Sequence, residues 1–390
     1  MPGWHNGTAA VSNLIQVNCF PKGCLGSIPS PGVKMIKKDP RIKKLAKLIV
    51  NHSLNIKKGE KIFVDSSDIA KKFIEELSKQ IILKKAAPVL NVYPADYKKN
   101  LLKSLSEKQL GFFPQYLLNK AKTTQGIVDI ENEAFNLSNI PERKIKTYSS
   151  SMKPYWDFLI YHRGNYRRAT VLLPLKKEAK DAKMPLKQFQ DYVYSCCFVN
   201  WKKLAKKFRK INRIFEQGKE VYLIGENINL KFSIKGRNSI LEAGKENLPG
   251  GEIYMAPIKD SLEGWVRFEY PSIRDGLEIS GIFLKFKKGK VIDFSAEKNE
   301  KFLRSLLNTD QGARYIGEFG IGINPKANKI TNSWIDEKIS GTIHIALGKS
   351  YEENNGDNDS AIHWDLVKDM RNAKIILDNK IIQKNGKWLV

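Results

Sequence analysis

The chain has 390 residues, 42% of them hydrophobic, and carries 67 Lys and Arg against 41 Asp and Glu, a formal charge of +26. That length predicts two domains rather than one small core, and the hydrophobic fraction excludes wholesale disorder. No apolar run approaches the roughly 18 residues that span a bilayer, no secretory signal opens the chain, and Cys19, Cys24, Cys196 and Cys197 make no disulfide framework, so a reducing, cytoplasmic setting is expected.

Residues 1–34 contain no Asp or Glu, whereas the remainder is dense in both signs. The expected functional start is Met35, with 1–34 a mis-called start or a disordered leader. Cys19 and Cys24 could in principle bind metal, but two cysteines without further ligands make a weak site. From Asp39, DPRIKKLAKLIVNHSL predicts an amphipathic helix with Ile42, Leu45, Leu48 and Ile49 on one face. KIFVDSS (61–67) reads as a strand, DIAKKFIEELSKQIILKK (68–85) as a helix and APVLNVYPAD (87–96) as a strand. That βαβ unit implies a parallel sheet with a right-handed crossover. TQGIVDIEN (124–132) adds a strand, and PLKQFQDYVYSCCFVNWKKLAKKFRKINRIFEQGK (185–219) reads as helix.

Within it, KKLAKKFRKINR (202–213) is the densest basic patch and invites a nucleic-acid reading. Lys outnumbers Arg about four to one, however, and is spread evenly along the chain. Phosphate and base recognition favours the planar Arg fork and interleaved aromatics. The patch therefore reads as an amphipathic helix with a solvated basic face, and a nucleic-acid partner is not expected. After Gly218 the texture turns to strands: 220–236, 264–271, 277–296, 339–348 and 373–390, with KNEKFLRSLLN (298–308) one of few helices. The predicted fold is an α/β N-terminal domain (35–217) with a parallel, Rossmann-like sheet, followed by a strand-rich α+β C-terminal metal-binding domain (218–390).

Two of the five histidines, His344 and His363, fall in GTIHIALGKSYEENNGDNDSAIHWDL (341–366). Between Lys349 and Lys368 there is no Lys or Arg, while Glu352, Glu353, Asp357, Asp359 and Asp365 all occur. His363 and Asp365 stand two apart, so in an extended segment both point to one side. Upstream, PGGEIYMAP places Glu252 after two glycines, and GARYIGEFGIGINP sets Glu318 among Gly317, Gly320 and Gly322. Carboxylate oxygen and imidazole nitrogen suit Zn, Co or Mn, and this many donors exceeds the needs of one catalytic ion. A pair of ions sharing a bridging carboxylate accounts for the number, and such a pair can lower the pKa of a water and polarise a carbonyl. Concentrated negative charge is tolerable only where cations neutralise it. The acidic island is therefore read as the place where metal sits, with Glu352, Glu353, Asp357 and Asp359 in a loop and not all of them ligands. Taken singly, Glu252 also fits an exposed turn and GEFGIGIN a glycine-rich turn. The latter is no GxGxxG dinucleotide motif. LGKS (347–350) is no P-loop either, because the required earlier glycine falls on Ile343.

Jointly, GGEIYMAP, ARYIGEFGIGINP, DEKISGTIHIALGKSY and NDSAIHWDLVKDMR resemble the aminopeptidase T family of metallopeptidases, the group of thermophilic and staphylococcal leucine-preferring aminopeptidases. The resemblance covers roughly residues 37–390 and leaves the leader unmatched. It implies Glu252, Glu318, His344, Tyr351, His363 and Asp365 as metal ligands. Glu318 would be the bridging carboxylate that also orients the attacking water, and Tyr351 a donor to the tetrahedral intermediate. The loop from Tyr351 to His363 is shorter than in familiar members, which bears on substrate preference. The implied activity is release of N-terminal residues from short peptides with a free amine, by water activated between two divalent ions (Zn, Co or Mn). A homodimer with enclosed active sites is expected, with no membrane partner.

Two other readings compete. A ring-opening dioxygenase of related architecture would hold one ferrous ion with His344, His363 and Asp365. Retention of both Glu252 and Glu318 argues instead for two metals. A basic nucleic-acid-binding protein with a structural metal is opposed by the carboxylate-rich donor set, since structural zinc sites are closed and cysteine-rich.

Overall fold

The structure, a computed structural model, describes residues 39–112, 115–131, 140–160, 166–274 and 277–390. The leader, with Cys19, Cys24 and Met35, lies outside them. The first helix, Pro40–Leu48, starts where Asp39 accepts a hydrogen bond from the Arg41 backbone N–H at 2.9 Å and Pro40 fills the first turn. Its apolar stripe continues through a wider turn at Ile49–Ser53, and Ile42, Leu45, Leu48 and Ile49 all pack on the core as the periodicity requires.

Strands β1 (Lys61–Ser67), β2 (Ala87–Tyr93), β3 (Gly126–Glu131) and β4 (Arg167–Leu172) pair in parallel in the order β2-β1-β3-β4. Helix Lys71–Leu83 links β1 to β2, the expected βαβ unit. Residues 185–219 form two helices rather than one, Leu186–Cys197 and Trp201–Gln217. The break has a local cause: the Asn200 side chain accepts from the Lys203 backbone N–H at 3.1 Å and starts a new helix. The second helix buries Trp201, Leu204, Phe208, Ile211 and Phe215 and turns its basic residues outward, as its spacing predicts.

Beyond it come β5 (Glu220–Gly225), β6 (Ile228–Ser233), β7 (Ile240–Glu242), β8 (Asn247–Leu248), β9 (Glu252–Met255), β10 (Glu263–Arg267), β11 (Ser272–Arg274), β12 (Leu277–Ile279), β13 (Phe283–Lys287), β14 (Lys290–Ser295), β15 (Ile316–Gly322), β16 (Thr342–Gly348), β17 (His363–Asp369), β18 (Ala373–Leu377), β19 (Lys380–Lys384) and β20 (Lys387–Trp388). β8 joins the first sheet parallel to β4. The others form an antiparallel sheet β14-β13-β10-β6-β5-β18-β19-β20, a second one β17-β16-β15-β9-β7, and the small β11-β12 ribbon. Residues Asp39–Val390 make one compact unit, whose main apolar cluster runs from Leu45 to Ile382.

β15 is where GEFGIGIN lies. It is a fully buried strand, not a glycine-rich turn. On one face of its sheet Phe319 packs on Phe215 and Phe232 with ring centres 6.3 and 5.1 Å apart, while the other face carries the candidate site.

Candidate metal centre

Strand register brings most of the predicted residues together. In β17-β16-β15-β9, Glu252 stands opposite Gly322, His344 opposite Gly320, Asp365 opposite Ala346 and His363 opposite Gly348. Residues directly opposite in an antiparallel pair share a face, as do residues two apart on one strand. Glu252, Glu318, His344, His363 and Asp365 therefore all project from one face, and each of the four paired positions meets Gly or Ala. The small partners leave a hollow in which long polar side chains converge. The Gly320 clearance is measurable: a Cβ there would sit 2.0 Å from the His344 Cε1 and Nε2 atoms. Gly251 lets the chain enter β9, with a φ of +110° and with Asn324 so near that a Cβ would lie 2.8 Å from it. Glu252, only 4% exposed, is thus no exposed turn residue.

Two sets of three donors sit side by side: Glu252, Glu318 and His344, then Glu318, His363 and Asp365, the donor atoms of each set lying within 4.8 Å of one another. Glu318 belongs to both. Its Oε1 is 2.9 Å from His344 Nε2 and its Oε2 4.0 Å from His363 Nε2. His344 Nε2 is also 3.5 Å from Glu252 Oε2, and His363 Nε2 is 3.5 Å from Asp365 Oδ2. His363 Nδ1 is 2.7 Å from the Lys349 carbonyl oxygen. A carbonyl can only accept, so Nδ1 carries the proton and Nε2 turns its lone pair to the carboxylates, the orientation usual for a metal-binding imidazole. Tyr351 follows β16, its ring centre 4.9 Å from that of His363, and lines the same pocket of about 60 Å³.

Two residues to which sequence reasoning gave no role complete this pocket. Glu337 forms a third donor set with His344 and Asp365. Lys338, 1% exposed, pairs with Glu252 at 2.5 Å and with Glu337 at 2.7 Å. Both sit in the short turn Asp336–Lys338, anchored where Asp336 accepts from the Thr331 backbone N–H and hydroxyl at 2.8 and 2.7 Å. The only sequence signal was their place in DEKISGTIH, just before the His344 strand. Polar residues in a short turn ordinarily face solvent, so nothing in the pattern marked this turn as buried.

The cluster is electrostatically frustrated without a cation. Burial pushes Glu252 up to about 8, even against the pull of Lys338. Burial and the neighbouring Glu337 push Asp365 up to about 6. Burial alone would lower His344, yet the Glu318 and Glu252 carboxylates overcome it and hold the ring up at about 9. Burial raises the Tyr351 phenol well above its ordinary value, reinforced by Glu318 and Asp365. Glu252 Oε2 and Asp365 Oδ1 are buried with no hydrogen-bond partner. Unsatisfied buried carboxylate oxygens are costly, and a bound cation would satisfy them.

The acidic island divides. Only Asp365 enters the cluster, whereas the loop acids have partners of their own. Glu353 accepts from the Tyr254 hydroxyl at 2.6 Å, Asp357 pairs with Arg237 at 2.9 Å, and Asp359 lies 3.7 Å from Lys349. Glu352 is exposed. A larger cavity of about 500 Å³ opens beside Asp65, Asn91 and Tyr155, near the carboxyl ends of the parallel strands. There Asp65 accepts from Asn91 at 2.7 Å and from Tyr155 at 3.2 Å, and none of the clustered donor sets lies in it.

Comparison with known proteins identifies the family. The family model described as thermophilic metalloprotease (M29) matches residues 38–388. The chain is 31% identical to aminopeptidase T of Thermus thermophilus over 168 residues, 37% of this chain and 40% of that protein. It is 34% identical to aminopeptidase 2 of Geobacillus stearothermophilus over 162 residues, 36% of this chain and 37% of that protein. The match thus spans about two fifths of the length of these curated relatives. Aminopeptidase PepS of Streptococcus thermophilus is 22% identical over 358 residues, 80% of this chain and 84% of its own. The solved structure of wild-type AmpT from Thermus thermophilus superposes with a TM-score of 0.75 at 21% identity, covering 90% of this chain and 99% of that one, and establishes a shared fold.

Proposed function

This chain belongs to the thermophilic metalloprotease family M29, and from that premise we propose that it is a metal-dependent aminopeptidase that removes N-terminal residues from short peptides. The observation that carries a two-ion form of the reading is Glu318, shared between two adjacent donor sets. Glu252, Glu318 and His344 would hold one divalent ion and Glu318, His363 and Asp365 the other, with Glu337 in reach of His344 and Asp365. Oxygen and nitrogen donors of this kind suit Zn, Co or Mn. The partnerless buried oxygens of Glu252 and Asp365 fit the same assignment.

When bound, a pair of divalent ions supplies a water of lowered pKa and polarises the scissile carbonyl. The chain's own residues do the rest. Glu318 orients the attacking water and takes its proton. Tyr351, kept protonated by burial, donates to the oxygen that becomes negative as the carbonyl carbon turns tetrahedral. Lys338 holds one oxygen of Glu252 and leaves the other turned to the cluster. A carboxylate of the pocket receives the substrate's free ammonium. A homodimer that encloses this pocket would restrict action to short peptides. A single ferrous ion on His344, His363 and Asp365 would leave Glu252 and Glu318 buried without a role, which weighs against ring-opening chemistry.

The test is release of free amino acid from peptides with a free or an acetylated N-terminus, by protein stripped with chelator and then supplied with Co²⁺, Zn²⁺ or Mn²⁺. Metal-restored cleavage confined to the free-amine peptides is expected. No cleavage with any metal would overturn the reading.

A further inference from the structure

Arg168 is a cation in the metal pocket for which the proposed chemistry has no use. It lies on β4, in the parallel sheet, and lines the pocket with Tyr351 and the clustered carboxylates. Its Nε donates to the Thr170 hydroxyl at 3.0 Å. Among the described residues no hydrogen bond or ion pair takes up the two terminal nitrogens. The guanidinium is therefore held at its root by Thr170, and among the described residues its outer edge has no partner. That edge is a planar pair of donors, which matches a carboxylate bidentately and a single oxyanion oxygen poorly.

Charge points to an anionic ligand. Among the described residues, Glu246, Glu252, Glu318, Glu337 and Asp365 are the carboxylates that line the pocket, and Lys338 is its other Lys or Arg. Glu246 has an interaction of its own, and two divalent ions together with Lys338 would carry five positive charges against the other four carboxylates. Arg168 is then surplus among the described charges, and an anion that arrives with substrate can pair with it. Arg168 lines the same pocket as the clustered donors, so an anion that it binds lies close to the scissile bond. In a dipeptide the terminal carboxylate is one residue, roughly 3.5 Å, beyond the scissile carbonyl.

We propose that Arg168 is a specificity-determining residue that binds the C-terminal carboxylate of dipeptides, making free-acid dipeptides the preferred substrate class. This rests on the two-ion aminopeptidase reading above. In longer peptides the carboxylate passes beyond the guanidinium, and an amide in its place offers no charge for it to meet.

The experiment compares Leu-Leu with Leu-Leu amide, both with a free α-amine, on the metal-loaded wild type, R168K and R168Q. For the wild type, kcat/KM on the acid should exceed that on the amide by about tenfold or more, mostly through KM, as expected for a charge-assisted hydrogen bond. R168Q should bring the ratio close to one, and R168K should fall between. A wild-type ratio near one would overturn the inference without recourse to any variant, so a misfolded R168Q cannot shelter it. Equal losses on acid and amide in R168Q would also overturn it and assign Arg168 to the reacting oxygen. Cleavage of neither substrate by the wild type would overturn the aminopeptidase reading as well, so the two failures are told apart.

Discussion

Between Tyr351 and His363 the chain carries Glu352, Glu353, Asp357 and Asp359 in one loop, while β9, β15 and β17 carry Glu252, Glu318 and Asp365 on one sheet face. Tyr254, Arg237 and Lys349 answer the acids at 353, 357 and 359, and Glu352 faces solvent. On the sheet face the acids have mainly one another, two histidines and Lys338, and burial drives Glu252 and Asp365 toward their neutral forms. The same residue type is settled in one region and unsettled in the other. What separates them is the residue across the strand: Gly or Ala opposite Glu252, His344, His363 and Asp365 makes room for charge inside the protein. A count of acids along the chain therefore points to the neighbourhood of the clustered donors, and the small residues opposite locate them.

Substitutions on the two sides of this contrast should differ by orders of magnitude. E318Q, which removes the charge shared by both donor sets, should lower kcat by about a thousandfold or more, the several kcal/mol that metal-assisted catalysis supplies. Peptide turnover together with metal content checks this, and full activity would dissolve the contrast. K338M leaves Glu252 and Glu337 buried without their cation and should cost the metal-free protein about 3 kcal/mol or more, read from urea unfolding. Gly320→Ala forces a methyl onto the His344 ring and should cost about 1–3 kcal/mol while weakening metal binding, measured by thermal unfolding and chelator competition.

The pH dependence sharpens the comparison further. Asp365 carries its proton up to about 6, Glu252 up to about 8 and His344 up to about 9. Each proton must leave before its atom can bind a cation, so affinity should strengthen as pH rises through this window, by up to about tenfold per unit for each proton displaced. Chelator competition at several pH values measures it, and an affinity that falls with rising pH would contradict the assignment. D357N, on the loop side, breaks only a part-exposed pair with Arg237 and should change stability by about 0.5 kcal/mol or less, with metal content unaltered.

Much of this was legible in the residues. The parallel sheet followed from the βαβ alternation at 61–93, and the outward basic face of Trp201–Gln217 from its apolar spacing. His363 and Asp365 share a side because they are two apart in a strand. The pairing of Glu318 with His344 was not legible, because register across β15 and β16 is a tertiary property that no local pattern encodes. GEFGIGIN read as a possible turn because glycine usually frees the backbone, whereas here Gly320 supplies space for an imidazole. Lys338 and Glu337 were silent because a DEK turn looks like solvated surface until the strands close around it. The helix break near Asn200 was missed because the apolar pattern runs through it and only the cap ends it.

The central claim is that Glu318 joins two cation sites on one sheet face. Its most direct test is the number of metal ions bound per chain, followed by elemental analysis as metal-stripped protein is reloaded and assayed. Activity that reaches its plateau at two ions per chain, with E318Q retaining fewer than two, is the predicted result. Full activity at one ion per chain, or an undiminished metal content in E318Q, would contradict it.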